Sequence, residues 1–174
     1  MRIRSADGST PAQVPSASSS YFIQKISCYN GSVRIGVIII ITLEKAKKAL
    51  EASEKKAKEL GVSVSTTVVD EHGIQIAASK MEGAFYISPR FSFEKAFTAA
   101  NLMMATGDLL AFAADNKPYF GVNTLFGGQL TAIAGGLPVK DGDKVIGAVG
   151  VGGSADTAQD VECAKEAVKV LEEN

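Results

Sequence analysis

Between Thr131 and Ser154 the chain reads TAIAGGLPVKDGDKVIGAVGVGGS, and this stretch restricts the fold more than any other. Gly135, Gly136 and Pro138 stand at one end of it, and Gly147, Gly150, Gly152 and Gly153 at the other. Between them Asp141-Gly142-Asp143 is a turn sequence flanked by apolar alternation, the pattern of a β-hairpin. The strands are expected at Gln129–Ala134 and Val145–Val151, the second running straight into the last helix. Gly150-Val151-Gly152-Gly153-Ser154-Ala155 also matches the G-x-G-x-x-A of dinucleotide-binding turns. That site needs a further strand with an acidic residue about 20 residues on, and none is expected beyond the helix that reaches Asn174. The glycines are therefore read as permitting a tight turn and close packing. A small anion at the helix start near Ser154 is the functional alternative.

The chain before this stretch supplies a second hairpin and further helices. Thr42–Leu60 is expected to be helical: Thr42 caps it, Glu44 sits in its first turn, and Gly61 stops it. Leu43, Ala46, Leu50, Ala57 and Leu60 give its apolar stripe. Val62–Val69 alternates as a strand, Asp70-Glu71-His72-Gly73 turns, and Ile74, Ile76 and Ala78 return. Ser88-Pro89 opens a helix with Ser88 as N-cap and Pro89 as first residue. Phe93, Phe97, Ala100 and Met104 fall on one face of it. Thr106 is expected to cap a short helix through Leu109, Phe112 and Ala113, ended by Asn116-Lys117-Pro118. Tyr119–Gly128 reads as a loop lining a pocket. Asp156–Glu173 closes the chain, with Asp156 and Gln159 at capping-box spacing and a stripe of Val161, Ala164, Val168 and Leu171. Sequential hairpins separated by helices predict an α+β fold: a central antiparallel sheet flanked by helices, in a single domain.

Met1–Ser20 is rich in Ser, Pro and Ala and is expected to be a mobile tail, because it has too little apolar surface to offset its ordering entropy. The β-branched run Val37–Ile41 would aggregate if exposed, so it is expected to add a strand at the sheet edge or to lie in a subunit interface. The domain is placed at residues 35–174, with 1–34 as a flexible or irregular extension. A chain of 174 residues suits one domain. Its net charge of −1, with no basic face, argues against nucleic acid and against an anionic membrane surface. No apolar run approaches the ~20 residues of a membrane span. Arg2 and Arg4 are followed by Ser, Thr and Pro and not by the apolar core of a signal peptide, so a cytoplasmic protein is expected. Cys28 and Cys163 lie far apart with no CxxC, and are read as free thiols.

Few residues stand out for chemistry. His72 is the single histidine. In a turn it is ordinarily a surface residue, with axial ligation of a tetrapyrrole metal as the alternative. Met81, Met103 and Met104 are softer ligands that more commonly fill core space. Lys95, among Phe93, Ala96 and Phe97, either snorkels at the helix edge or meets a propionate or other carboxylate. Asp70 and Glu71 would need a partner in a cleft to do acid–base work.

Asp70 and Gly73, Glu82-Gly83-Ala84, Lys95-Ala96 with Thr98-Ala99, Gly135-Gly136-Leu137-Pro138, Gly147-Ala148-Val149-Gly150-Val151 with Gly153, and Gln159-Asp160 with Cys163-Ala164 occur in an order that resembles the GlcG/HbpS-like family. That family includes the C-terminal domain of PduO-type proteins. The resemblance runs from about Ile41 to the C-terminus. It implies a compact profilin-like domain around an antiparallel sheet, and homo-oligomers from dimers up to octamers. It also implies haem or corrinoid (cobalamin) binding in some relatives, and a place beside glycolate or diol metabolism in others. Some tetrapyrrole-binding relatives carry a ligand histidine near the first helix, where this chain has Ile41-Thr42-Leu43. The leading expectation is a small-molecule binding protein that holds haem or a corrinoid. Its pocket would be lined by the Phe93–Thr98 helix and the glycine-rich loops, with Lys95, Thr98, Gly135, Gly136, Pro138 and Ser154 contacting the ligand and His72 the metal. An accessory enzyme or subunit acting on a small hydroxy acid is the second reading, and a purely oligomeric assembly protein the third. No catalytic residue is assigned.

Overall fold

The computed structural model describes residues 21–29 and 32–173. The expected tail Met1–Ser20 lies outside them. Two compact units divide after Ile39.

In the first unit β1 (Tyr21–Tyr29) and β2 (Ser32–Ile39) pair antiparallel, from Tyr21 opposite Ile39 to Tyr29 opposite Ser32, with a register shift between Ile23 and Ile26. Val37–Ile41 is expected at the edge of the sheet or in a subunit interface, and it adds no strand to the four-stranded sheet. Val37–Ile39 belongs to β2, which among the described residues pairs with β1 alone, in a two-stranded sheet. Pairing with a strand so near in sequence costs less chain entropy than pairing with a distant one.

The second unit holds α1 (Leu43–Glu59), β3 (Ser65–Asp70), β4 (Gln75–Lys80), α2 (Ser88–Leu102), α3 (Thr106–Ala113), a 3-10 stretch at Val122–Gly128, β5 (Gly136–Asp141), β6 (Lys144–Gly152) and α4 (Thr157–Glu172). Its four strands are antiparallel in the order β4-β3-β6-β5. This is the expected α+β architecture. The Asp141-Gly142-Asp143 hairpin carries its second strand, β6, into the middle of the sheet. α2 covers one face, while α1 and α4 pack together on the other. Each face is legible from β3: Ser65 and Thr67 meet Ser88 and Ser92 of α2 at 2.8 and 2.9 Å, and Thr66 meets Ser53 of α1 at 2.7 Å. Successive strand residues point to opposite faces. β3 is thus covered on both sides, and its hydroxyls are paired inside the protein.

The glycines of the opening stretch explain how α2 comes so near the sheet. A Cβ on Gly150 would fall 2.0 Å from the Ser92 carbonyl oxygen and 2.4 Å from the Ala96 nitrogen. One on Gly136 would fall 2.3 Å from the Lys95 carbonyl oxygen. Both approaches are far inside contact distance, so the backbone of α2 rests directly on glycine backbone. The G-x-G-x-x-A spacing is a packing pattern.

Several boundaries differ from expectation. β5 is Gly136–Asp141, not Gln129–Ala134, which is irregular. Gly135, at φ 121°, breaks the extended chain between them. β5 is an edge strand, where Pro138 is tolerated. Ser88 is the first residue of α2 and Ile87 its cap; the Ser88 hydroxyl instead donates to the Phe85 carbonyl at 2.7 Å. Thr106 is likewise inside α3, and Ala105 stands at its N-cap. Leu43 of α1 is exposed, and burial falls on Ala46, Ala49, Leu50, Ser53 and Ala57. In α4 it falls on Asp160, Cys163, Ala164, Ala167 and Leu171, leaving Val161 and Val168 half-buried. Asp156 caps α4 by accepting from the Ala158 amide at 2.9 Å, while the Gln159 side chain turns to the Ser154 hydroxyl and does not complete the box. Among the described residues no single helix is long and apolar enough to cross a membrane.

Candidate functional site

Lys95 projects from the middle of α2 past β6 to α4. Its Nζ donates to Asp160 Oδ2 at 2.7 Å and to the Val151 carbonyl at 2.8 Å, and Lys95 is only 2% exposed. Asp160 Oδ1 accepts from the Ser154 amide at 3.1 Å. Burial pushes the Lys95 ammonium below the ordinary lysine range and the Asp160 carboxyl above the ordinary carboxylate range. The hydrogen bond and mutual attraction oppose both shifts. Gly135 lies against the pair: a Cβ there would sit 2.7 Å from the Val151 carbonyl oxygen and 2.8 Å from Lys95 Nζ. On the same helix Cys163 is buried, and its thiol is pushed up to about 11, by burial first and then by the Asp160 charge. It therefore stays a thiol at neutral pH and is a poor nucleophile.

Next to this pair the chain from Gln129 to Ala134 has no strand ladder to bind its backbone; the ladder resumes at Gly135, whose carbonyl accepts from the Val151 amide at 2.8 Å. Before that point buried hydroxyls bind the chain instead. Thr98 Oγ1 accepts from the Thr131 amide at 3.0 Å. Thr106 Oγ1 donates to the Ile133 carbonyl at 2.7 Å and accepts from the Gly136 amide at 3.0 Å. Thr131–Ala134 forms one wall of an open cavity of ≈ 630 Å³, whose other walls are α3, the 3-10 stretch and the first residue of α4. Gly107, Leu110, Ala113 and Val122 make it largely apolar, and Asn123 and Thr157 add polar groups. Leu110 and Ile133 of the lining are exposed, and so are Phe112, Tyr119, Phe120, Leu125 and Phe126, on the same two segments as Leu110 and Val122 or between them. A cluster of exposed apolar residues of this kind marks a binding or contact surface.

Lys95, Thr98, Gly135, Gly136 and Ser154 all come together where α2, the start of β5, the end of β6 and the start of α4 meet. None of them is in the cavity lining. The carboxylate that Lys95 meets is the chain's own Asp160. The polar groups at the start of α4 are also taken from within: the Ser154 amide by Asp160, the Asp156 amide by the Ser154 hydroxyl, and the Ala158 amide by Asp156. Pro138 stands opposite Ala148 within the sheet. His72 stands at the β3–β4 turn, where Asp70 Oδ1 accepts from the amides of His72 and Ile74 at 2.9 and 2.8 Å. Its ring is 78% exposed, 4.0 Å from Glu71, and outside the cavity lining. The Tyr119–Gly128 loop does contribute Val122 and Asn123 to the lining. From the sequence alone Asp160 stands out only through the family pattern, and Thr106 only as a helix cap. An acid in the first turn of a helix and a Thr at a helix start each have an ordinary local explanation.

A family model described as haem degrading protein HbpS-like matches residues 41–169. An uncharacterized 15.0 kDa protein from the dhaT-dhaS intergenic region of Citrobacter freundii is 38% identical over 116 residues, 67% of this chain and 82% of that protein. The crystal structure of the Klebsiella pneumoniae protein ORFY superposes with a TM-score of 0.73 at 32% identity, over 83% of this chain and 97% of that one. The PduOC–haem complex shares the fold, with a TM-score of 0.72 at 23% identity over 76% and 95% of the two chains. Matched across most of its length by this model and these relatives, the chain belongs to the GlcG/HbpS-like family.

Proposed function

We propose that this chain is a small-molecule binding protein whose ligand is a tetrapyrrole, haem or a corrinoid, seated in the cavity between α3, the 3-10 stretch and the Thr131–Ala134 wall. The observation that carries the reading is the cavity: ≈ 630 Å³, largely apolar and walled by a tied-down loop. Its size lies in the range of small-molecule and cofactor sites. The family description, which names haem, and a fold neighbour captured with haem support the ligand class.

The lining suits the apolar body of a macrocycle, and Asn123, Thr131 and Thr157 suit its polar edge groups. It does not suit axial ligation. Among the described residues it contains no His, Met, Cys, Tyr or Lys. His72 would ligate only a tetrapyrrole bound at the β3–β4 turn. Lys95, Thr98, Gly135, Gly136 and Ser154 act in this reading as supports of the cavity walls, and Pro138 as a strand residue. The exposed apolar side chains of α3 and the Tyr119–Gly128 segment, with Leu110 and Ile133 of the lining, favour a homo-oligomer in which a second copy covers part of that surface.

Titration with haemin and with metal-free protoporphyrin IX separates the two sites. Cavity binding predicts that both bind with similar affinity, that Ala113→Phe weakens both, and that His72→Ala changes neither. Haemin binding that is lost in His72→Ala and not matched by protoporphyrin would move the site to the turn. No binding of haemin, protoporphyrin IX or cobalamin at micromolar protein would end the tetrapyrrole reading.

A further inference from the structure

We infer that Thr106 and Thr98 are positioning residues that fix the shape of the Thr131–Ala134 wall; this rests on reading that cavity as the ligand site. The wall is irregular chain, and its shape cannot come from a strand ladder. Within the wall Thr131 Oγ1 accepts from the Ile133 amide at 3.2 Å, and two fully buried hydroxyls from outside it tie it to the helices. Thr98, on α2, takes the Thr131 amide at one end. Thr106, the first residue of α3, binds the Ile133 carbonyl and the Gly136 amide, gripping both sides of Gly135 at the other end. The next residue, Gly107, lets α3 approach the same wall, since a Cβ there would lie 3.2 Å from the Ala134 Cβ. Of the three anchor points Thr131 and Ile133 line the cavity, and the helix carrying Thr106 also supplies Gly107 and Leu110 to the lining. A hydroxyl that joins a helix start to the opposite wall holds the distance between them. A preformed wall also spares a ligand the entropy of ordering it.

Thr106→Val keeps the shape of the side chain while leaving the Ile133 carbonyl and the Gly136 amide without their partner, and Thr106→Ser keeps the hydroxyl. Thr98→Val and Thr98→Ser form a second pair should Thr106→Val fail to fold. The probe is protoporphyrin IX, followed by fluorescence, together with amide hydrogen exchange across Ile133–Gly136. The expected result is a weakening of about tenfold in each Val variant, with each Ser variant close to wild type. Exchange at Ile133–Gly136 should quicken in Thr106→Val while β3 and β6 keep their protection. Wild-type affinity and wild-type exchange in Thr106→Val would overturn the inference. If the wild-type protein binds no porphyrin, the reading of the cavity fails, and the exchange measurement alone decides whether the hydroxyls brace the wall.

Discussion

Lys95 and Asp160 lie 65 positions apart in the chain and meet at 2.7 Å, with side chains 3% and 2% exposed. Their bond ties α2 to α4 past the edge of β6. Because both charges are out of water, each depends on the other. Removing one partner of a buried pair leaves the other charge uncompensated, at a cost of about 3–5 kcal/mol, whereas replacing both with apolar groups is often neutral or better. Lys95→Met should therefore destabilise by about that amount. Lys95→Met/Asp160→Leu should recover most of the loss in urea unfolding. A double variant as unstable as the sum of the single ones would mean the pair is not the unit that matters.

The same pair fixes the sign of a pH effect. Burial raises the Asp160 carboxyl above its ordinary value of 3.8, and Lys95 is the main force opposing that rise. In Lys95→Met the opposition is gone, so the folded-state value moves further up. The folded protein then holds more protons than the unfolded one between 3.8 and the raised value. Stability contributed by this group is present below 3.8 and is lost as pH rises through the folded value. The Lys95→Met deficit should thus be smaller near about pH 4.5 than near about pH 7.5. Wild-type and variant unfolding at the two pH values gives the comparison, and a deficit independent of pH would show that Asp160 is not held charged by Lys95.

Much of the fold follows from local rules that compete with nothing. α1 has a capping Thr42, whose hydroxyl accepts from the Lys45 amide at 3.2 Å, and a stop at Gly61, φ 70°. The hairpin at Asp141-Gly142-Asp143 has period-two strands on either side. The errors come where one residue has two explanations. Gln129–Ala134 alternates like a strand, but Thr98 and Thr106 take its Thr131 amide and Ile133 carbonyl, and Gly135 breaks it. Ser88 and Thr106 look like caps from their position, yet their hydroxyls serve the helix–sheet interface and the cavity wall. The Lys95–Asp160 bond leaves no local trace at all, since a lysine among phenylalanines reads as a snorkelling side chain until the partner helix is in place. The cavity is equally silent, because its walls come from stretches without a period.

Gly135 should be among the least replaceable residues of the chain. Its φ of 121° is a conformation that side chains rarely adopt, and a Cβ would press on the Val151 carbonyl and Lys95 Nζ. Gly142, at φ 57°, has nothing within 4 Å of its added Cβ. Strain in such regions costs about 1–3 kcal/mol before any clash is counted. Gly135→Ala should therefore lose more than about 3 kcal/mol, and Gly142→Ala only about 1 kcal/mol. Equal losses in thermal unfolding would remove the special role of Gly135 over the ion pair.

Cys163 supplies the last test. It is fully buried on α4, and its thiol is raised to about 11 because burial penalises the thiolate and Asp160 adds like charge. Thiolate, not thiol, attacks a disulfide reagent. In a Cys28→Ser background, the folded protein should be inert to a thiol-specific disulfide such as Ellman's reagent at neutral pH, and should react in one step at the rate of global unfolding when urea is added. Asp160→Asn removes one source of like charge but not the burial, so it should leave the folded protein unreactive unless it opens the helix. Rapid reaction of the folded wild-type background would mean that α4 separates from the sheet in the native state. The Lys95–Asp160 bond would then have to break in the same motion.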